Sequence, residues 1–209
     1  VLELAEDKIH LVHVPVAGCY GHNGADDVAL DAALTARAIP GRPIMLKWER
    51  ADEHAWEPFG SAMQIELKAS LGDKGRVIFW NHETYSDTHM SRPSVHRENS
   101  RLLAAWHLQT PRPAPPVKPS LGYHTGIHRN ADPIYDFSDR RVVKHLVRDL
   151  PLRVSALRSL GAYANVFAIE SFMDELAHAI GTDPLEFRLA HLSDKRARAV
   201  LEAATTKAN

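Results

Sequence analysis

The sequence predicts an α+β fold, with strands and a hairpin in the first half, a long proline-rich loop, and helices in the last third. Three observations support it. Residues 63–69 alternate between apolar and polar side chains, apolar residues recur at helical spacing over 165–180, and five prolines fall within nine residues of the central stretch. We expect one part of a larger domain, built from three consecutive segments: 1–85, 86–139 and 140–209.

The first segment predicts a strand, a helix and a second strand. Residues 9–16 are rich in Val, Ile and Leu, which predicts a buried strand. Residues 26–38 predict a mostly buried helix whose two acids in the first turn suit the positive end of the helix dipole. The pair Pro40-Gly41 ends this helix, and residues 43–48 predict the second strand.

A hairpin and a long loop follow. The alternating strand 63–69 is predicted to pair with 76–85 through the turn Gly72-Asp73-Lys74-Gly75. From 86 to 139 the hydrophobic pattern disappears, and the clustered prolines predict an extended loop. A loop of this length usually covers a site or a neighbouring domain.

The last segment predicts one strand and three helices. Residues 140–147 predict a strand, and 165–180 predict an amphipathic helix that ends at Gly181. Its inward face would carry Val166, Ile169, Met173, Leu176, Ala177 and Ile180. Asp183 and Pro184 predict the cap and first position of a second helix, and 195–207 predict a third.

Composition excludes several classes of function. The 209 residues include 25 Lys and Arg against 26 Asp and Glu, so the formal charge of −1 provides no field that attracts nucleic acid. The single cysteine, Cys19, excludes a disulfide framework and any multi-cysteine metal site. No apolar run approaches the ~20 residues that a membrane span needs. Because Val1 and Asn209 carry no terminal signals, we expect a piece of a longer polypeptide. The sequence leaves the compartment open between cytoplasm and periplasm.

Two turns have the composition of anion-binding loops. Gly18-Cys19-Tyr20-Gly21-His22 joins the first predicted strand to a helix, where backbone amides can face an anion. Residues 157–162 repeat the arrangement before the helix at 165, now with Arg158. A purely structural connection is the commoner explanation of the first turn, which contains neither a Walker lysine nor a full dinucleotide fingerprint, and it stays open for the second.

The residues around both turns resemble one known family. The sequence from Ala17 to Asp27, the following helix and the turn Gly41-Arg42-Pro43 are similar to the glycine-rich loop region of xanthine dehydrogenase and aldehyde oxidase large subunits. Residues 157–161 and the run Phe167 to Ala177 resemble the family's second cofactor loop and its helix, and Asp183 to Arg188 resemble a further signature. Within the family the sequence looks most like the molybdopterin subunits of nicotinate dehydrogenase and isoquinoline 1-oxidoreductase.

The resemblance implies a set of site residues. The glycine-rich loop, Gly18, Cys19, Tyr20, Gly21 and His22, would contact the pterin and the molybdenum through backbone amides. Arg158 and Gly161 would approach the same centre from the other side, and Leu160 would line the substrate where xanthine-type enzymes carry an aromatic residue. The glutamate base of the family would lie downstream, so no catalytic residue and no metal ligand are assigned within this chain.

The resemblance also implies cofactors, partners and a reaction. It implies a molybdenum–molybdopterin cofactor in its cytosine dinucleotide form, a small partner subunit with 2Fe-2S clusters, and a cytochrome c acceptor. Family enzymes hydroxylate a carbon beside a ring nitrogen, or an aldehyde carbon, with oxygen from water. Gly24 and Ala25 stand where xanthine enzymes carry a glutamate, which disfavours purines. We expect the 209 residues alone to be inactive.

Two other classes of function stay open on the sequence. One is a non-catalytic scaffold piece whose uncovered faces normally meet other domains. The other is a histidine-ligated metal hydrolase, suggested by the 13 histidines, although His10 and His13 would point to opposite faces of a strand and no HExxH pattern occurs. Tyr85, Asp87 and His89 also have acid–base side chains, with no residue predicted to orient them.

Overall fold

The computed structural model describes residues 2–14, 25–91 and 99–208. Helices and strands alternate irregularly, which confirms the predicted α+β class. The first unit comprises 1–61, 88–119 and 148–158, and the second comprises 62–87, 120–147 and 159–209. Along the described residues the elements are α1 (Ala25–Ala38), α2 (Arg50–Trp56), β1 (Phe59–Gly60), β2 (Met63–Leu71), β3 (Val77–Ser86), α3 (Leu103–Trp106), β4 (Asp139–Leu146), β5 (Val154–Ser155), α4 (Ala162–Ala179), α5 (Pro184–Ala190) and α6 (Lys195–Ala208).

The first unit is organised around the buried carboxylate of Asp27 on α1. Arg153 donates to both of its oxygens at 3.0 Å, and the backbone amide of Leu103 donates to Oδ1 at 2.9 Å. Strands β1 and β5 form a two-residue parallel pair in the same unit, with Phe59 opposite Val154. The Asp27 carboxylate therefore ties α1 to the first residue of α3 by a hydrogen bond and to the residue before β5 by an ion pair.

Two predicted strands in this unit are wrong. Residues 9–14 are exposed and belong to no strand, and 15–16 lie outside the described residues. Residues 43–48 are also outside any strand; the Trp48 indole donates to Asp31 at 3.0 Å. Both runs are apolar, yet an apolar run becomes a strand only where a partner strand satisfies its backbone, and the described residues offer none here.

Helix α1 has the predicted position but is less buried than predicted. Among the side chains described, only Asp27 and Leu30 are fully buried, and the remainder are half-buried or exposed. The predicted loop at 86–139 also contains regular structure: α3 and a 3-10 turn at Gly126–His128. The helix α2, which begins at a capping box between Glu49 and Asp52, was not predicted.

The second unit contains a three-stranded sheet in the order β2-β3-β4. Strands β2 and β3 form the predicted antiparallel hairpin, and Gly75 takes the left-handed conformation in its turn, at φ +70°. Strand β4, predicted at 140–147, pairs with β3 in parallel, with Arg140 opposite Trp80. Because alternate residues of a strand face opposite sides, β3 presents Trp80, His82, Thr84 and Ser86 to the interior.

Helices α4 and α5 cover the interior face of this sheet. Trp80 stacks on Phe137 at 4.7 Å, and the core is completed by buried residues of the helices, which include Ile169, Met173, Leu176, Ala177 and Phe187. Two residues predicted to face inward do not: Val166 is 42% exposed and Ile180 is 39% exposed. In the first turn of α4 the polar Asn165 is buried in place of Val166, and Ile180 lies just beyond the last residue of the helix.

The last two helices are confirmed. The Asp183 carboxylate accepts hydrogen bonds from the amides of Leu185 and Glu186, and Pro184 occupies the first position of α5. Helix α6 covers the predicted range to within one residue. Within the described ranges, no helix combines the length and the apolar character that crossing a bilayer requires.

Candidate functional site

The turn before α4 contains the most unusual backbone at a predicted site. Ser159 has φ +74° and Leu160 has φ +53°, so two consecutive residues with side chains lie in the left-handed region. A bulky side chain there is rare, and each such residue costs on the order of 1–3 kcal/mol. Arg158 and Ser159 are exposed and Leu160 is half-buried. Strain of this kind persists only where the surrounding structure maintains it, and it is concentrated at functional sites.

The strained turn presents unused backbone donors. Within the described part of the chain, neither the Ser159 amide nor the Leu160 amide donates to an acceptor. The next two amides are committed: Gly161 donates to the Gly126 carbonyl at 3.2 Å and Ala162 to the Ser159 carbonyl at 2.9 Å. The 18-residue helix α4 begins directly afterwards, so its positive dipole end adds to the two amides. Together these groups suit an oxygen-rich or anionic ligand.

Gly161 is required by close packing. A Cβ atom at this position would lie 2.3 Å from the Ile127 carbonyl oxygen and 2.8 Å from that of Gly126. Its φ of −74° is accessible to any residue, so the requirement is steric and not conformational. Gly161 therefore seats the start of α4 on the Gly126–His128 turn, while its predicted contact with a cofactor stays a prediction.

A buried polar cluster lies behind this turn. Asn165, in the first turn of α4, donates from Nδ2 to the carbonyls of Ile127 at 2.8 Å and Arg129 at 3.0 Å. Its Oδ1 accepts from the Thr84 hydroxyl at 2.9 Å and lies 3.1 Å from His82 Nε2. Sequence analysis missed this cluster. The feature that could have indicated it is a polar His and a polar Thr at alternate positions of a predicted strand, on the face that is buried.

The protonation state of His82 follows from its partners. Thr84 uses its hydroxyl proton on Asn165, so at 2.9 Å it accepts from His82 Nε2–H. The remaining ring nitrogen, Nδ1, is buried without a partner in the described structure. Protonating it would bury an unsatisfied charged donor, and burial accordingly lowers the pKa of His82, against a smaller opposing effect of the Asn165 hydrogen bond. The ring is neutral.

Residues 115–192 match the family of molybdopterin cofactor-binding domains. Over 208 residues, covering 100% of this chain, the sequence is 37% identical to a nicotinate dehydrogenase subunit from Pseudomonas putida. It is 28% identical to the beta subunit of isoquinoline 1-oxidoreductase from Brevundimonas diminuta over 92% of the chain. The chain belongs to the molybdopterin-binding xanthine dehydrogenase family.

The chain corresponds to a small share of these family members. It spans 16% of the length of the Pseudomonas relative and 22% of the Brevundimonas relative. A third relative, 23% identical over 92% of the chain, is a membrane-bound aldehyde dehydrogenase from Gluconacetobacter polyoxogenes whose name specifies pyrroloquinoline quinone; the chain spans 23% of it.

The chemistry of the turn at 158–160 is compatible with a molybdopterin group. The family match includes the strained turn at 158–160, and its two unused amides suit a ligand chemistry of oxo and phosphate oxygens. The first predicted loop, Gly18, Cys19, Tyr20, Gly21 and His22, lies outside the described residues. Arg158 is exposed, and it already interacts with another group of the folded chain.

The family's helix signature has a structural role in the second unit. Arg188 of α5 donates to Glu170 at 2.8 Å and to Asp174 at 2.6 Å, both on α4. Tyr135 also donates to Glu170, at 2.9 Å, and burial followed by the charge of Glu170 raises the pKa of Tyr135. These acids therefore fasten α5 to α4.

The alternative metal site finds no support in the geometry. Over the described ranges, no three His, Cys, Asp or Glu side chains are grouped closely enough to hold a metal ion. Both ring nitrogens of His128 are engaged, since Nε2 lies 2.7 Å from the Gly122 carbonyl and Nδ1 lies 3.2 Å from Lys144 Nζ. His10 and His13 are both exposed.

Tyr85 belongs to a different polar cluster from the one its sequence neighbours suggested. Its ring stacks on His145 at 4.2 Å, on the face of the sheet opposite Trp80. Glu83 lies between His145, at 2.7 Å, and Arg141, and these hydrogen bonds, with that of Arg141 the stronger, lower the pKa of Glu83 to about 2. Asp87 and His89 are buried, so the three residues do not form an exposed acid–base group.

Proposed function

We propose that this chain is part of the molybdopterin-binding subunit of a molybdenum hydroxylase that oxidises an N-heterocycle or an aldehyde with oxygen from water. The observation that carries the proposal is the strained turn at Ser159 and Leu160, whose two amides have no acceptor in the described structure. It lies within the stretch that matches molybdopterin-binding domains.

Named residues of this chain would hold the cofactor. The amides of Ser159 and Leu160 would donate to its oxygens, Arg158 would contribute a positive charge, and Gly161 would keep the helix α4 start in place. Gly18, Cys19, Tyr20, Gly21 and His22 would approach from the glycine-rich loop. The molybdenum–molybdopterin group, in its cytosine dinucleotide form, would supply the two-electron oxidation when bound.

Leu160 would line the substrate. It is half-buried, and its backbone has φ +53°. An aliphatic side chain offers apolar contact and no hydrogen bond, which suits an N-heterocycle or an aldehyde better than a polar purine. The two relatives named for nicotinate and isoquinoline are consistent with such a substrate class.

Other parts of the reaction would be supplied from outside these residues. The catalytic base would lie in a further segment of the polypeptide, and electrons would leave through 2Fe-2S clusters of a small subunit toward a cytochrome c. The relatives named as subunits support a multi-subunit enzyme. The 209 residues alone would therefore be inactive and would serve as one wall of the cofactor site.

The test is cofactor analysis of the full-length protein purified with its neighbouring subunits. We expect about one molybdenum and one pterin per large subunit, and oxidation of nicotinate-type heterocycles or aldehydes with ¹⁸O from labelled water in the product. Arg158→Gln should lower the molybdenum content, whereas the matched control Arg148→Gln, another exposed arginine, should not.

Three results would count against the proposal. Pyrroloquinoline quinone in place of a pterin would move the chain toward the chemistry named for its aldehyde dehydrogenase relative. Stoichiometric zinc without molybdenum would favour a hydrolase. A complex that contains neither molybdopterin nor pyrroloquinoline quinone and oxidises none of these substrates would favour a non-catalytic scaffold function.

A further inference from the structure

The buried amide of Asn165 is saturated by four polar contacts from two other segments of the second unit. Two contacts run to carbonyls of the segment 127–129, and two to side chains of β3. Asn165 is fully buried, in the first turn of the helix that follows the strained turn. Burying an amide is unfavourable unless its hydrogen bonds are made, so this saturation is what permits Asn165 at that position.

We propose that Asn165 is a positioning residue for the turn at 158–160, and that it fixes where the amides of Ser159 and Leu160 meet a ligand. The inference rests on the proposed function, because the ligand in question is the molybdopterin group. The Asn165 side chain is fully buried, and its hydrogen-bonding partners lie on β3 and in the 127–129 segment.

The link from Asn165 to the turn passes through two carbonyl groups. Asn165 Nδ2 donates to the Ile127 carbonyl, the same oxygen that a Cβ atom at position 161 would approach to 2.3 Å. The neighbouring Gly126 carbonyl accepts from the Gly161 amide at 3.2 Å. Gly161 follows Leu160 directly, so a shift of the 126–129 segment moves the end of the strained turn. Two left-handed residues keep their conformation only while such contacts are maintained.

His82 and Thr84 fix the orientation of the Asn165 amide. Both present donors to Oδ1, while the 127–129 segment presents only carbonyls to Nδ2. A flipped amide would face donors with donors and acceptors with acceptors, so one orientation is selected. The strand β3 thus determines, through Asn165, the place of the carbonyls on which Gly161 rests.

The experiment compares Asn165 variants with an equally buried core variant of the same helix, in the full-length protein with its subunits. Asn165→Ala removes all four contacts, and Asn165→Asp keeps the volume but removes both donors. Met173→Ala is the control, since Met173 is fully buried on α4 and belongs to the apolar core. Hydrogen exchange of the Gly161 and Ala162 amides, which are bonded to the Gly126 and Ser159 carbonyls, reports the turn, and molybdenum retained after dialysis reports the cofactor. The melting temperature of each variant is measured, so that the Asn165 and Met173 variants are compared at a similar loss of stability.

We expect both Asn165 variants to speed exchange of the hydrogen-bonded Gly161 and Ala162 amides at least tenfold and to lower retained molybdenum at least threefold. Met173→Ala, at a similar loss of melting temperature, should leave both near wild type. If Asn165→Ala does not accumulate, Thr84→Val, which removes one donor to Oδ1, should show the same changes to a smaller degree.

Equal behaviour of the Asn165 and Met173 variants would overturn the inference, because the role would then be stability alone. Faster exchange with unchanged molybdenum would also overturn it, since the turn would move without consequence for the cofactor. A wild-type protein that holds no molybdenum would instead overturn the proposed function, before any variant is compared.

Discussion

The guanidinium of Arg188 donates to the carboxylate of Glu170 at 2.8 Å and thereby joins α5 to α4. The arginine is only 12% exposed, and it also donates to Asp174 and to two backbone carbonyls. Two stretches that resemble family signatures in the sequence therefore meet in one ion network. Their shared role is the assembly of the helices, while the proposed cofactor contacts belong to the turn before α4.

Replacing Arg188 should destabilise the second unit moderately. Arg188→Met removes the donors that satisfy Glu170 and Asp174, yet both carboxylates keep access to water, at 41% and 49% exposure. We therefore expect a loss of about 1–3 kcal/mol in the free energy of unfolding, measured by urea denaturation. The control is Arg196→Met, at an exposed position of α6. Equal effects of the two substitutions would contradict a structural role for the network.

Replacing Arg153 should be more costly in the first unit. Asp27, its partner, has a side chain that is 1% exposed, so Arg153→Met would leave a carboxylate buried without its counter-ion. Breaking a buried pair in this way typically costs about 3–5 kcal/mol. Urea denaturation should show this loss, whereas Arg148→Met, at an exposed neighbour of the same segment, should stay within about 0.5 kcal/mol of wild type. A small effect would mean that water reaches Asp27.

The sequence predicted most accurately where one local pattern decides the structure. The β2–β3 hairpin follows from strict alternation and a Gly-containing turn, and α5 from the cap at Asp183. Sequence-based prediction of strands failed where the pairing of strands depends on residues far apart along the chain. The apolar runs at 9–14 and 43–48 look like strands but have no partner in the described structure, and the two-residue pair of β1 and β5 is too short to leave a pattern.

At the candidate site, too, the sequence indicated a local segment but not its backbone conformation or its contacts with distant residues. The sequence located the turn at Arg158 by its resemblance to a cofactor loop, but the left-handed backbone of Ser159 and Leu160 has no sequence signal, since neither residue is glycine. The cluster around Asn165 joins residues 81 to 83 positions apart along the chain, so only the fold brings it together.

Gly161 should tolerate no larger residue. In Gly161→Ala the new Cβ would lie 2.3 Å from a backbone oxygen, so either α4 or the 126–128 turn must shift. Overpacking of this kind costs about 1–3 kcal/mol. Gly181→Ala is the matched control at the other end of α4, where φ is +67° but nothing lies within 4 Å. Its cost of about 1 kcal/mol is conformational only. Hydrogen exchange of the amides at positions 161 and 162, which are bonded in the wild type, should rise in Gly161→Ala alone.

Acid should destabilise both units through buried neutral histidines. His191 accepts a hydrogen bond from the Val77 amide on Nε2 at 2.9 Å, which requires that nitrogen to be unprotonated, and burial is the main cause that lowers its pKa. In the first unit, burial lowers the pKa of His89 to about 4. A histidine whose pKa is lower in the folded state than in the unfolded state binds its proton first in the unfolded state.

Stability should therefore be complete above pH ~6.5 and fall as the pH is lowered from there toward about 4, the folded pKa of His89. For His89 the full loss is on the order of 3 kcal/mol. Urea denaturation at pH 7.5 and pH 5 should show lower stability at pH 5 in the wild type and a smaller difference in His89→Gln. His178→Gln, at an exposed position, should keep the wild-type difference. A pH dependence that His89→Gln leaves unchanged would assign the acid sensitivity to other groups, with His191 and His82 as the next to replace, because their protonation removes an acceptor or buries an unpaired donor.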